Sequence, residues 1–478
     1  METAGQGIDV SATADGGTRM EEGYEVIRNA DAADAADAEA KVAFQAHYSA
    51  GDSNAGGGRS LSDHTADSID FTGDLQVAAN ASGSSSASAG ATAEFYAREI
   101  SVNTGEQGID VSANADGGGG IKDARQVIYG AQDASAKAKV VFSADTDTES
   151  WGYGGRADNY DATADRIDFT GELQVTANAS GSSSADASAL AEFYAREIIV
   201  ETLGEGFDIK ASADAGTDIE DGQEVVVGSA DEADAEARVI LGAHSTTYVT
   251  DVTDEYNLTA ASIDFTGELQ VAANANASGS GSASASASAE FYAREISVNT
   301  GEQGFDVSAS ADGGGGGSSD ADLTINTDYE DGGEVALAWR LSVMADAADE
   351  ASGSGTGDAY ADLTVTAPLG VALGSATVSA TADIGDAEAV LNLQADDGEV
   401  VTTGEGAITV DAASQRKAEA RGELAGQGVA LNGDLSLRAD ADGEGEYKNG
   451  GTGLQEAVYA DIIASSTANR HGERSEGG

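Results

Sequence analysis

Between residues 69 and 97 apolar side chains occupy the odd positions almost without a break. They run Ile69, Phe71, Leu75, Val77, Ala79 and Ala81, then Ala87, Ala89, Ala91, Ala93, Phe95 and Ala97. The even positions carry Asp70, Thr72, Asp74, Gln76, Asn80, Ser82, Ser86, Ser88, Thr92, Glu94 and Tyr96. A period of two marks a strand with one face inward and one outward. At ~3.3 Å per residue one straight strand of this length would reach ~95 Å, far beyond ordinary strands. The chain must therefore bend, near Gly83 or Gly90, without losing its inner and outer faces.

The same wording returns. Ile69-Asp70-Phe71-Thr72-Gly73 recurs from Ile167 and from Ile263, and Glu94-Phe95-Tyr96-Ala97-Arg98-Glu99-Ile100 recurs from Glu192 and from Glu290. Gly108-Ile109-Asp110-Val111 returns at Gly206 and Gly304, 98 residues apart each time. The third copy has two extra residues between its Ile263 and Phe291, an even number that leaves every later side chain on its face. A helix would be rotated by about 200°. Residues 30–46 are Ala-rich and compete as a helix. The equivalent stretches, with Ala134, Ala136, Ala138, Val140 and Phe142 alternating with polar residues, favour a strand.

These patterns predict an all-β fold: an elongated, right-handed parallel β-solenoid built from units of about 98 residues. Strand starts near 8, 24, 40, 68, 91 and 109 suggest one coil every 16–28 residues. The alternative is an antiparallel repetitive β-sheet with a hairpin tip between Gly83 and Gly90. The units run 1–107, 108–205 and 206–303, then divergent β-rich repeats over 304–465 and a disordered tail over 466–478.

Composition sharpens this picture. Leu, Ile, Val and Phe make up only ~17% of the chain, and the formal net charge is -62. Such numbers ordinarily mean disorder. A solenoid escapes that rule, because stacked Ala and Ser fill a narrow interior and each coil gains a ladder of backbone hydrogen bonds. The charge excludes nucleic acid as a partner, since phosphate contacts need clustered Lys and Arg. Seven of the 23 basic residues are Lys, and an acidic, Lys-poor coat suits high-salt surroundings or an exported protein.

Candidate chemistry is sparse. The chain has no Cys, and its four His are His47, His64, His244 and His471. His47 and His244 hold equivalent places, but the middle copy has Asp145 there, which argues against a catalytic or zinc role. No nucleophile elbow, P-loop or His-Glu-x-x-His occurs, and no window approaches 18 apolar residues. We expect no enzyme, no cofactor and no transmembrane helix. Asp145, Asp147 and Glu149, and Asp440, Asp442 and Glu444, have the spacing of oxygen ligands and are weak calcium candidates. Asn80, Asn178, Asn257 and Asn276 head glycosylation sequons. Segments with Tyr48, Trp151, Tyr153, Tyr160 and Tyr248 vary in length between copies and read as surface loops.

Ile8-Asp9-Val10-Ser11-Ala12, Ile69-Asp70-Phe71-Thr72-Gly73-Asp74-Leu75-Gln76-Val77 and Ala91-Thr92-Ala93-Glu94-Phe95 resemble the repeat region of giant bacterial surface exoproteins, the filamentous-haemagglutinin-like adhesins. The resemblance covers about 8–304 well and 305–465 loosely. It implies a non-catalytic structural or adhesive segment of an exported protein, extracellular or at the cell surface. Its partners would be a surface receptor, a carbohydrate or copies of itself. The N-terminus begins inside a repeat and lacks a signal peptide, as a piece of a longer chain would. A self-assembling filament or matrix protein is the alternative, and a carbohydrate-active β-helix enzyme a more distant one.

Overall fold

The computed structural model describes residues 7–15, 24–28, 35–46, 68–83, 86–104, 108–117, 125–129, 133–144, 166–181, 183–215, 223–226, 232–243, 262–277, 281–300, 304–313, 316–327, 334–348, 357–395, 397–402, 407–441 and 457–466. They form a parallel β-solenoid. One coil runs through three strands, Ser68–Thr72, Leu75–Ser82 and Ser86–Tyr96, here called faces 1, 2 and 3. The next coil begins at Glu99–Asn103 and lays Ile100 on Ile69, Ile109 on Leu75 and Phe142 on Phe95. Faces 1 and 2 belong to one 17-stranded sheet, and face 3 is an 11-stranded sheet. The strand pairings among the described residues are parallel, which overturns the antiparallel alternative. Residues on either side of Gly83 go to different sheets, so no hairpin forms there.

The corners explain the glycines. The turn from face 1 to face 2 passes through Gly73, Gly171 and Gly267 in the short coils, Gly108 and Gly206 in the long ones and Gly304 in the coil that follows them, all at positive φ. A Cβ at Gly108 would stand 2.5 Å from the carbonyl oxygen of Glu172 in the next coil, so the backbone approach itself demands glycine. Gly90 is different. It lies inside Ser86–Tyr96 and bends nothing, contrary to the expectation from sequence.

The coil length also differs from expectation. Successive coils place Leu75, Ile109, Leu173, Phe207, Leu269 and Phe305 above one another, at intervals of 34, 64, 34, 62 and 36 residues. The 98-residue unit therefore holds two coils, one short and one long. Counting strand starts gave 16–28 because each coil contains several strands. The long coils also supply Tyr24–Arg28, Arg125–Tyr129 and Gln223–Val226, which pair as a separate three-stranded sheet. After Phe305 the alternation stops, and Leu341, Ala376, Ile408 and Leu435 follow at intervals of 36, 35, 32 and 27. The two extra residues of the third copy fall in the corner between faces 2 and 3, after Ala277. Residues 35–45 form a strand, with Ala36, Ala38 and Ala40 inward.

The core is one continuous cluster of stacked columns. Ala40, Ala91, Ala138, Ala189, Ala237, Ala287, Ala321, Ala361, Ala389 and Ala420 form one of them. Small residues there keep faces 2 and 3 close. The wider part of the interior holds Ile, Val and Phe. Phe44, Phe95, Phe142 and Phe193 stack with ring centroids 4.8, 4.6 and 4.7 Å apart. That is the spacing of the coils themselves. Phe71 and Phe169 meet this stack edge-on from face 1. The domain boundaries at 107, 205 and 303 thus fall within one unbroken core. Residues 467–478, most of the tail read as disordered, lie outside the described residues.

Candidate functional site

With the core hidden, function falls to the outward columns. On face 2 one column reads Asp9, Gln76, Asp110, Gln174, Asp208, Gln270 and Asp306. A second reads Asp15, Ser82, Asp116, Ser180, Asp214, Asn276 and Asp312. Up to Asp208 and Asp214 the long coils carry the carboxylates and the short coils neutral residues; Asp306 and Asp312 keep the alternation in a coil of 36 residues. On face 1 the column Asp70, Ser101, Asp168, Ile199, Asp264 and Ser297 alternates in the opposite phase. Two carboxylates one coil apart would repel by ~0.9 kcal/mol even at the dielectric of water, and two coils apart by ~0.4 kcal/mol before salt screening. On faces 1 and 2 a two-coil period keeps that repulsion down. Gln76 also donates to Asp110 (3.2 Å), and Asn178, Asn114 and Asn80 form an amide ladder with bonds of 2.8 and 2.9 Å.

Face 3 uses the same period for attraction. Lys41, Lys139 and Arg238 of the long coils reach Glu94, Glu192 and Glu290 of the following short coils at 2.9, 2.9 and 2.6 Å. Tyr194 and Tyr292 donate their hydroxyls to Glu192 and Glu290. The hydrogen bond that Lys41 donates to Glu94 holds the Lys41 pKa above its ordinary value.

Beyond Arg238 the pattern fails. The face-3 strands Gly317–Asn326, Asp358–Thr366 and Asp386–Gln394 contain no Lys or Arg. Asp322 stands directly over Asp362. Burial, then Asp320, Asp362 and Glu290, push the Asp322 carboxyl up to about 7. Asp362 is better served, accepting from Tyr360 (2.9 Å) and Thr364 (2.7 Å). Cations return at Lys417 and Arg421. Burial opposes ionisation of Glu419, and these two cations together outweigh it and hold the carboxyl below its usual range.

Of the calcium candidates only Asp440 lies among the described residues. Asp440 is on the last face-2 strand, Leu435–Ala441, and is engaged by Arg438 at 2.7 Å. Asp145, Asp147, Glu149, Asp442 and Glu444 lie outside the described residues, as do the four His, Asn257 and the loop aromatics. Among the described residues no three His, Asp or Glu side chains gather as a metal site. A groove of about 490 Å³ at the corner between faces 1 and 2 is lined by Asp74, Gln76, Asp110, Glu172 and Gln174. It offers carboxylate and amide groups in alternation, suited to hydrogen-bonding hydroxyl groups. No helix is long and apolar enough to cross a membrane among the described residues. No family model, curated protein or solved structure matches the chain.

Sequence reasoning found the inward columns and missed the outward ones. The signal was present: Gln76, Gln174 and Gln270 stand in the Leu-Gln-Val segments, and Asp110, Asp208 and Asp306 in the segments after Gly108, Gly206 and Gly304. Only the register shows that these segments lie on one another.

Proposed function

We propose that the chain is a non-catalytic shaft segment of a large exported surface protein, projecting from the cell or attaching it to a partner. The observation that carries this reading is the repetition of one outer surface every two coils over an unbroken core. A repeated surface multiplies a weak contact by avidity. It is poorly suited to a catalytic centre, which needs one set of groups in one place. The resemblance to filamentous-haemagglutinin-like adhesins points the same way. So does the acidic coat, which keeps an extended molecule soluble. The partner chemistry that fits is a hydroxyl-rich polymer, a carbohydrate, lying along the amide and carboxylate columns. Calcium and other cations would associate loosely with the same carboxylates.

The test is retention of the purified chain on immobilised polysaccharides, with product analysis of the same polymers in solution. Retention that grows with the number of coils displayed, with the polymer left intact, is expected. Cleavage of the polymer, or no retention on any polysaccharide or protein-coated surface, would reject the reading.

A further inference from the structure

The coil formed by Glu295–Asn299, Phe305–Gly313 and Gly317–Asn326 meets the next one, Glu334–Ala348 and Asp358–Thr366, across a contact where several weaknesses coincide. Arg340 is the one cation in these five strands. On face 3, Asp322 stands over Asp362 and Asp320 over Tyr360. Glu290, diagonal to Asp322 on the preceding coil, is already engaged by Arg238. On face 2, Asp346 lies diagonal to Asp312, and Asp383 acts on it from the following coil. Arg340 acts on Asp306 instead. Inside, the Ser319 side chain stands in the column of Ala285 and Ala359, and its buried hydroxyl has no hydrogen-bond partner among the described residues. A buried hydroxyl left unpaired destabilises the packing around it. Ring stacking ends here too. Phe305 meets Phe265 and Phe291 of the preceding coil at 5.1 and 5.4 Å, and Leu341 lies over its other side.

Like charges also face each other earlier, where Asp186 stands over Asp234. There Phe207 ties the two coils through its rings' contacts with Phe169 and Phe193, at 5.2 and 5.5 Å. At the later contact, stacked carboxylates, an unpaired core hydroxyl and the end of ring stacking fall together. We propose that this contact is a proton-controlled seam. With its carboxylates protonated, it couples the coils up to Asn326 and those from Glu334 onward into one cooperative unit. With them ionised, the second set unfolds while the first stays folded. Coils of a solenoid couple through nearest-neighbour contacts, so the weakest contact sets where cooperativity breaks. The charged groups acting on Asp322 are Asp320, Asp362 and Glu290, and those acting on Asp346 are Asp312 and Asp383, all of them acids. Tyr360 and Thr364 donate their hydroxyls to Asp362. Burial first, then these acidic neighbours, raise the carboxyls of Asp320, Asp322 and Asp346. Each therefore holds a proton in the folded chain that it gives up as pH rises, and the stability that goes with that proton is lost. The seam goes beyond the shaft reading and does not depend on it.

Urea unfolding of the full chain, followed by circular dichroism at pH 5 and pH 8 and at one ionic strength, tests it. One transition is expected at pH 5 and two at pH 8. At pH 8, Phe142→Ala should move only one of the two and Leu393→Ala only the other. At pH 5 either variant should move the single transition. Asp322→Asn should bring the two transitions at pH 8 back together, and Ser319→Ala, which removes the unpaired hydroxyl, should narrow the gap between them. Asp186→Asn, at the earlier stacked pair, should leave them apart. A single transition at both pH values would overturn the proposal. So would two transitions equally separated at both, or merging by Asp186→Asn as complete as that by Asp322→Asn.

Discussion

The coils from Ile8 to Gly313 and those from Gly317 to Ser466 continue the same inward columns, yet they solve two problems differently. In the first region the face-3 core position is aromatic in five of six coils: Phe44, Phe95, Phe142, Phe193 and Phe291, with Leu241 between. In the second it becomes Ile325, Val365, Leu393 and Leu424. The first region also pairs a cation with Glu94, Glu192 and Glu290 on face 3, whereas the second runs through three coils of acids alone. Strict repetition goes with ring stacking and charge alternation, both of which depend on what lies one coil above. Aliphatic packing is less particular about its neighbour, and there the coil length drifts from 36 to 27 residues.

The largest expected break in this contrast is in the core. Phe142 is fully buried and sandwiched between Phe95 and Phe193 at 4.6 and 4.7 Å. Phe142→Ala should cost ~3–5 kcal/mol. Part of that, ~0.5–1.5 kcal/mol, comes from the ring contacts beyond area burial. Leu393→Ala, in the same column of the second region, should cost less, ~2–4 kcal/mol. Urea unfolding followed by hydrogen exchange would compare them, since coils couple mainly to their neighbours and loosening should spread only a coil or two. An equal or greater loss for Leu393→Ala would remove aromatic stacking as the reason the first region is so regular.

The inward half of this architecture was legible in the sequence because burial leaves a period of two in a single strand. Ala87, Ala89, Ala91, Ala93 and Phe95 announce their face without reference to any other coil. The outward half was not, because its logic runs perpendicular to the chain. Nothing local to Asp110 reveals Gln76 below it and Gln174 above. Coil length was misread for a related reason: alternation marks strands, and only pairing shows that Leu75 lies under Ile109 and not under a nearer strand. The Asp322 cluster was invisible because 40 residues separate Asp322 from Asp362. Of the calcium candidates only Asp440 is described, and its partner there is Arg438, two residues away on its own strand.

The acid-only coils give a second, smaller break, in pH dependence. The Asp322 carboxyl lies at about 7 against an ordinary 3.8, so between those values the folded chain binds a proton that the unfolded chain does not. Stability therefore falls as pH rises through this window. Asp110, Asp186, Asp234, Asp306, Asp320 and Asp346 are also raised, each chiefly by burial, and among the described residues Glu419 is the one shifted carboxylate that is lowered. The melting temperature should accordingly be higher at pH 5 than at pH 8. Asp322→Asn should flatten that slope and, at pH 8, stabilise the chain by up to ~1 kcal/mol, the scale of a like-charge pair directly opposed across strands. A less stable Asn variant at pH 8 would mean that the carboxylate is satisfied in some other way.

The smallest effect separates attraction from mere spacing in the first region. Lys139 and Glu192 meet at 2.9 Å with side chains 30% and 17% exposed, shielded more than a typical surface pair. A double-mutant cycle with Lys139→Ala and Glu192→Ala should give a coupling of ~0.5–1 kcal/mol, the upper part of the range for exposed pairs. Salt should move the two measurements in opposite directions. The coupling should shrink as ionic strength rises, because the pair is screened. The stability of the whole chain should grow, because the repulsion summed over its net charge is screened as well. A coupling near zero at low salt would leave face 3 to the same rule as faces 1 and 2, where long and short coils alternate only to keep carboxylates apart. A measurable one would show that the two-coil unit is held by attraction on one face and permitted by reduced repulsion on the other two.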